Sequence, residues 1–172
     1  MCSSDLAGML LLERLDVALA RGAQPLAELV GYGATGDALH ITLPAPGGAG
    51  AVRAARRALE KAGRRGSGID HVNAHATSTP EGDKAELDAI RTVLTEAADA
   101  DAARTAADAA PPRATISASK GALGHTLGAA GALGAIATIC AMRDGRVHPT
   151  LNLVEPDSAV GTLDVVRGVP RE

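Results

Sequence analysis

The sequence predicts an α/β fold in which short strands alternate with helices and pair largely in parallel. Short apolar runs of strand character, such as 69–73, are followed by segments with helical periodicity. Polar side chains cluster where such a strand ends and a helix begins, at the edge where open α/β sheets bind ligands. The 172 residues are 46% hydrophobic with a single aromatic, Tyr32, so the core must consist of closely packed Ala, Leu, Val and Ile.

Composition excludes several classes of protein. The net charge of −3 and the near absence of aromatic residues argue against a nucleic-acid partner. Cys2 and Cys140 form no disulfide framework and no CxxC motif, which favours a reducing cytoplasm. No signal peptide is visible, and the most apolar run, 127–142, is too short and too rich in Ala and Gly for a membrane span. We therefore expect no membrane partner.

The first 62 residues predict two helices and one strand. The segment 9–21 has the periodicity of a helix, since its leucines fall near one face. A strand over 26–32 ends at a glycine and leads into a turn-rich stretch, 33–50. The helix over 49–62 is stopped by Gly63. Its basic side chains form either a solvated face or a docking face for an acidic partner: Arg53, Arg56, Arg57 and Lys61.

The rest of the chain repeats the alternation of strand and helix. After the strand at 69–73, Pro80 begins a helix whose first turn carries acidic residues, as the helix dipole favours. The Ala/Asp-rich segment 96–113 reads as a solvated helix tail and loop. A strand at 115–117 precedes a Gly/Ala-rich helix over 124–143, which is apolar on nearly all sides and is expected to be buried. A last short strand is predicted at 163–166.

Two strand-to-helix junctions carry the residues suited to chemistry. The first, VNAHATSTPEGDKAE, contains His75 and Glu86, and the second, SASKGALGHTLGAAGA, contains Lys120 and His125. In a parallel sheet both junctions lie at one edge, so we expect the two imidazoles and the ammonium to meet. Neutral imidazoles can donate hydrogen bonds to a carbonyl oxygen that gains charge, while the lysine adds positive charge with Glu86 as its acidic partner. Metal-dependent hydrolysis is less favoured, because HExxH and HxH motifs are absent.

Together these segments resemble the β-ketoacyl-acyl-carrier-protein synthase family, of the fatty-acid elongating type within the thiolase fold. The flanking segments AGMLLLE, AELVGYGATGDALHITLPAPGGAG, ALEKAG and HPTLNLVEPD are similar to successive family segments in the same order. The resemblance implies an α/β, thiolase-like fold, C-terminal half only, with a layered mixed sheet and a buried Gly/Ala-rich helix. On this interpretation 7–172 is a β-ketoacyl synthase C-terminal domain cut at both ends, and 1–6 is unmatched or non-native.

The resemblance also implies a reaction, a decarboxylative Claisen condensation in fatty acid elongation, carried out in the cytoplasm. The implied partners are an acyl carrier protein and a cysteine-bearing N-terminal half or homodimer partner. No tightly bound cofactor is implied, because the substrate carries phosphopantetheine on the carrier protein.

The resemblance assigns roles residue by residue. His75 and His125 would hold the malonyl thioester carbonyl as it becomes an enolate, and Lys120 would support them electrostatically, assisted by Glu86 and Asp83. The positions that would line the phosphopantetheine channel are Thr42, Thr77 and Thr79. No metal is expected, and Asn73 is the one weak candidate for contacting a monovalent cation.

Departures from the family pattern leave alternatives open. The nucleophilic cysteine and the closing Gly-Phe-Gly-Gly-Thr-Asn segment have no counterpart here, so the chain alone is expected to be inactive. Ala76 and Leu123 replace a glycine and a hydroxyl residue, and Gly134 replaces a glutamate associated with the cation site. The alternatives are a non-catalytic partner subunit of a ketosynthase or polyketide synthase-like complex, and a thiolase-fold relative acting on CoA thioesters. We expect the remaining histidines to be structural or surface residues: His40, His71 and His148.

Overall fold

The structure, a computed structural model, describes residues 6–96 and 113–172. Residues 1–5 and nearly all of the predicted solvated segment 96–113 lie outside the described residues. The helices are α1 (Leu15–Ala20), α2 (Ala49–Ala62), α3 (Pro80–Thr95), α4 (Lys120–Leu123) and α5 (Ala130–Asp144). The strands are β1 (His71–Asn73), β2 (Thr115–Ser117) and β3 (Asp164–Val165). Short 3₁₀ turns occupy Pro46–Gly48, Gly66–Gly68, Leu127–Ala129 and Ser158–Val160.

The three strands form one sheet in the order β1-β2-β3, and both pairings are parallel. Asn73 lies opposite Ser117, and Ile116 lies opposite Val165. An isolated antiparallel bridge joins Val147 to Arg171 outside the named strands. The predicted α/β class and parallel pairing are confirmed, and the strands at 69–73 and 163–166 are shorter than predicted. Parallel pairing places the ends of β1 and β2 at one edge, which positions the site.

Helix α3 is the centre of the packing. Leu94, near its C-terminal end, joins Ala114, Ile116 and Leu163 in a buried cluster against the sheet. Ala89 and Val93 belong to a second cluster with Val52 of α2. The layers therefore run from sheet to α3 to α2, and small residues permit the close approach that an aromatic-poor core requires.

The predicted strand over 26–32 is wrong, since the structure has no strand there. A strand requires a neighbouring backbone to satisfy its hydrogen bonds, and none in the described part of the chain forms backbone hydrogen bonds with this segment. Leu26, Leu29 and Val30 are accordingly exposed.

The segment that follows, 31–36, lies along α2. A side chain at Gly33 would overlap the carbonyl oxygen of Ala54 on α2. Arg57 donates to the carbonyl oxygen of Ala34 at 3.0 Å, and Arg53 donates to that of Gly36 at 3.0 Å. Two arginines of the basic helix thus hold this segment, a structural role that the sequence did not indicate.

Helix α1 is shorter than the predicted helix over 9–21. Only Ala18 is buried within it, and Met9 and Leu11, which precede it, are about nine-tenths exposed. A short helix has little stability of its own without tertiary packing. The amphipathic pattern alone is therefore not enough to stabilise a helix over the whole of 9–21.

Helix α5 also departs from expectation, because it has no buried residue in this chain. The predicted helix over 124–143 is broken near its start: α4 ends at Leu123, Gly124 adopts φ 72°, and α5 begins at Ala130. By length and composition the 18-residue stretch Leu127–Asp144, with mean hydropathy 1.2, is apolar enough to cross a membrane. Only 6% of that stretch is buried, so the expected burial is not achieved within the described residues.

Candidate active site

The loop after β1 presents His75 at the edge of the sheet. Ala74 donates its N–H to the carbonyl oxygen of Ser117 at 2.8 Å, which ties the end of β1 to the end of β2. The chain then turns through Ala76 at φ 37° and Ser78 at φ 61°, a left-handed conformation that non-glycine residues adopt at a cost. Pro80 begins α3 immediately afterwards. The histidine is therefore fixed by a strand on one side and a helix on the other.

Glu86, on the second turn of α3, clamps this loop. One carboxylate oxygen accepts the backbone N–H of His75 at 2.6 Å, and the other accepts that of Ala76 at 2.8 Å. We expected the carboxylate to pair with Lys120, but no such ion pair occurs among the described residues. Glu86 therefore acts on the backbone of the histidine loop.

The second junction brings Lys120 and His125 to the same edge. β2 ends at Ser117, α4 begins at Lys120, and the lysine Nζ lies 3.5 Å from Nδ1 of His75. The rings of His75 and His125 are 5.4 Å apart between centroids and perpendicular. The two imidazoles and the ammonium meet, as the parallel topology predicts.

Their hydrogen bonds select one tautomer for each histidine. Nδ1 of His125 accepts the N–H of Leu127 at 3.2 Å, which leaves the ring proton on Nε2. Nδ1 of His75 faces the ammonium of Lys120, which has only donors, so its proton also lies on Nε2. Each ring therefore offers an Nε2–H donor.

Electrostatics favour the neutral form of His75. Partial burial lowers the pKa of His75 below its ordinary value of 6.5, and the charge of Lys120 lowers it further. Glu86 and Asp83 oppose this shift, and His125 adds to it. A neutral imidazole that donates a hydrogen bond is suited to stabilising a developing oxyanion.

A cleft of about 430 Å³ opens beside His75 and Lys120. His75, Lys120 and Ser119 line one wall, and Ala130, Gly131 and Gly134 of α5 line the other. The helix side consists mainly of small side chains, with Thr138 as its polar member, while the sheet edge supplies the charged group and the imidazole.

The remaining predicted residues divide into two groups. Thr77 and Thr79 lie beside the site, with their hydroxyl oxygens 3.2 Å apart. Asp83 lies on the first turns of α3, and its buried Oδ1 has no hydrogen-bond partner among the described residues. Thr42 lies on an exposed segment, where its N–H donates to Nδ1 of His40 at 3.2 Å.

Asn73 ties the sheet to α5. Its side-chain amide donates to the carbonyl oxygen of Gly134 at 3.2 Å and lies 3.4 Å from Nε2 of His148. No group of three or more His, Cys, Asp or Glu residues suited to a metal is present in the described ranges. The role of Asn73 as a contact for a monovalent cation stays a prediction.

The sequence interpretation missed a polar cluster beneath the site. His71 Nε2 lies 2.9 Å from the hydroxyl of Ser117, which lies 3.3 Å from Nε2 of His148. Ser117 is fully buried. His71 and Asn73 are two residues apart on a strand, so both lie on one face of the sheet. This spacing was the sequence signal that could have indicated a polar cluster on that face.

Comparisons with known proteins agree with this geometry. The family model described as the beta-ketoacyl synthase C-terminal domain matches residues 26–154. A 3-oxoacyl-[acyl-carrier-protein] synthase 2 of Staphylococcus aureus strain COL is 42% identical over 160 residues, which cover 93% of this chain and 35% of the relative. The chain thus spans about a third of the length of the curated relatives it matches.

Solved structures of ketosynthases also align with this chain. A beta-ketoacyl synthase from Burkholderia phymatum STM815 aligns with TM-score 0.77 and 39% identity, over 92% of this chain and 35% of that one. The ishigamide ketosynthase/chain length factor aligns with TM-score 0.77 and 40% identity over the same shares. A type II polyketide synthase acyl-carrier protein in complex with its ketosynthase, AntDE:AntF, aligns with TM-score 0.79 and 31% identity, over 92% of this chain and 36% of that one.

Proposed function

The chain belongs to the β-ketoacyl synthase family, and we propose that it is the malonyl-binding part of a 3-oxoacyl-acyl-carrier-protein synthase that elongates fatty acid or polyketide chains. The observation that carries this proposal is the pair of perpendicular imidazoles, 5.4 Å apart, with an ammonium 3.5 Å from one of them. Two N–H donors and a fixed cation at the edge of a parallel sheet suit an anion that forms on a thioester oxygen.

The chain's own residues act in the decarboxylation. In malonyl thioester the bond to the carboxylate breaks, carbon dioxide leaves, and the electron pair moves onto the thioester oxygen as an enolate. Nε2–H of His75 and of His125 donate to that oxygen, while Lys120 stabilises its charge. One such donor contributes about 3–4 kcal/mol to a comparable transition state. The enolate carbon then attacks an acyl thioester held on a cysteine, and the cysteine thiolate departs.

The nucleophilic cysteine comes from outside this chain. Cys140 lies within α5, half-buried, away from a helix N-terminus that would activate it. The partner is a cysteine-bearing N-terminal half or a homodimer subunit, and the exposed apolar residues of α5 and of 26–32 are the surfaces it covers. The chain alone therefore does not condense.

The second partner is an acyl carrier protein in the cytoplasm. Its phosphopantetheine reaches the cleft past Thr77 and Thr79, which lie next to His75 in the loop. We assign Thr42, which lies on an exposed segment, to the outer part of that channel. No tightly bound cofactor is required, because the carrier protein delivers the reactive thioester.

A non-catalytic partner subunit is the second candidate. The 40% identity to a ketosynthase/chain length factor structure and the absence of an activated cysteine among the described residues favour it. The intact His75, Lys120 and His125 arrangement favours the first candidate, because a subunit without chemistry has no need of it.

The test supplies malonyl-acyl-carrier protein, labelled in the free carboxylate, to the purified chain and measures released carbon dioxide. Slow decarboxylation is expected from the chain, with a loss on the order of a hundredfold in His75→Ala and in His125→Ala. His40→Ala, a histidine on the exposed segment, is the matched control and retains the rate. Equal rates in all variants, or no release from the unaltered chain, would reject the malonyl-binding role. A β-ketoacyl product from this chain alone would reject the external cysteine.

A further inference from the structure

The segment 148–152 lies against the turn that carries Lys120. His148 Nε2 lies 3.3 Å from the Ser117 hydroxyl, and Thr150 Oγ1 accepts the N–H of Ala118 at 3.1 Å. Asn152 donates its side-chain N–H to the carbonyl oxygen of Gly121 at 2.8 Å. His148 and Thr150 contact the junction before the lysine, and Asn152, in the turn at 151–152, contacts it after the lysine.

The opposite side of this segment is anchored to the sheet. The N–H of Thr150 donates to the carbonyl oxygen of Val166, next to β3, at 2.8 Å. Val147 and Arg171 exchange two backbone hydrogen bonds, of 2.7 Å and 3.0 Å. The segment is therefore held by backbone contacts and has the rigidity to position what it touches.

The turn that it touches has little stability of its own. Helix α4 has four residues, Lys120–Leu123, and a single helical turn does not persist without tertiary contacts. A side chain at Gly121 would overlap the backbone carbonyl of Leu151, so the two backbones are in direct contact. Asn152 itself adopts φ 64°, a left-handed conformation that asparagine tolerates better than most residues.

We propose that Thr150 and Asn152 are positioning residues that hold the α4 turn and so place the Lys120 ammonium 3.5 Å from Nδ1 of His75. Their relevance to catalysis rests on the proposed function, whereas their effect on the His75–Lys120 pair is a property of the chain itself. The charge of Lys120 helps to lower the pKa of His75, together with burial and His125, against Glu86 and Asp83. Loosening the turn moves the ammonium away and raises that pKa.

The test follows the protonation of His75 in the whole chain. Diethyl pyrocarbonate modifies neutral imidazole, so the pH dependence of His75 modification, measured by peptide mass spectrometry, reports its pKa. Lys120→Met defines the value without the ammonium. Asn152→Gly, which keeps the left-handed backbone, and Thr150→Val, which keeps the side-chain shape, are expected to move the profile toward that of Lys120→Met. Thr150→Ser, unlike Thr150→Val, keeps the hydroxyl and is expected to retain the original profile.

The double variant Lys120→Met/Asn152→Gly distinguishes positioning from a general effect on the fold. If Asn152 acts through the ammonium, the double variant matches Lys120→Met. Unchanged His75 profiles in both Asn152→Gly and Thr150→Val, additive shifts in the double variant, or loss of the far-UV circular dichroism signal in both would overturn the proposal. The readout requires no turnover, so a chain that fails to release carbon dioxide rejects the proposed function and leaves this inference standing.

Discussion

Replacing Glu86 with Gln is expected to destabilise the histidine loop. The Glu86 carboxylate accepts two backbone N–H groups, at 2.6 Å and 2.8 Å. Hydrogen bonds to a charged group contribute about 1.5–3 kcal/mol each, and partial exposure places these at the lower end. Gln keeps one acceptor oxygen and turns an NH₂ group toward the other N–H. The free energy of unfolding should therefore fall by about 2 kcal/mol.

Urea denaturation measures this change. With an m-value of about 2 kcal/mol per molar urea, the loss lowers the midpoint by about 1 M at unchanged m. Glu81→Gln removes an exposed carboxylate from the first turn of the same helix and is the matched control. The helix dipole stabilises an exposed carboxylate in the first turn only weakly. The control should therefore change the free energy of unfolding by less than about 1 kcal/mol.

The alternative is that Glu86 stabilises the chain through Lys120, as the sequence led us to expect. A double-mutant cycle with Lys120→Met decides between them. If the backbone clamp is the main role, Glu86→Gln costs the same in both backgrounds. A coupling energy above about 1 kcal/mol, or a cost for Glu86→Gln no larger than for Glu81→Gln, would refute the clamp.

Three further predictions follow from other parts of the structure. Gly33→Ala, whose new methyl group would overlap α2, should increase proteolysis of the adjoining segment, whereas Gly36→Ala, which has open space, should not. Burial, and then His148, lower the pKa of His71 below 6.5, so the unfolded chain binds more protons than the folded one below that pH. Urea midpoints should therefore fall as pH drops below 6.5, and His71→Gln should flatten this dependence. The exposed apolar surface of α5 should make the purified chain associate and bind a hydrophobic dye, and a monodisperse monomer without dye binding would contradict this.

The meeting of His75, Lys120 and His125 was predictable because it depends on local signals. Each junction is a contiguous run in which an apolar strand ends, polar residues follow and a helix begins. Parallel pairing then places both junctions at one edge without further information. Pro80 and Gly124 mark the turns on either side, and both are visible in the sequence.

Contacts between distant segments were not predictable from pattern. Glu86 has a carboxylate that can reach either an ammonium or a backbone amide, and only the loop conformation decides. The polar cluster of His71, Ser117 and His148 combines three segments far apart in sequence. The predictions that α5 is buried and that 26–32 pairs as a strand were wrong for a different reason. An apolar pattern indicates that a surface needs a packing partner, but it does not show whether the described residues provide that partner.

The two charged neighbours of His75 contact different parts of the residue and have opposite effects on its pKa. Glu86 holds the backbone on which the imidazole is mounted, while Lys120 sits at Nδ1 and disfavours a second proton. If Glu86 and Lys120 formed an ion pair with each other, the carboxylate could not accept both backbone N–H groups as it does, and the ammonium would be drawn away from Nδ1 of His75. Removing the anion would release the loop that positions the imidazole and would also lower the pKa of His75, whereas removing the cation would raise that pKa and disfavour the neutral ring. A donor to a thioester oxygen requires both conditions, so the site depends on keeping these two charges apart.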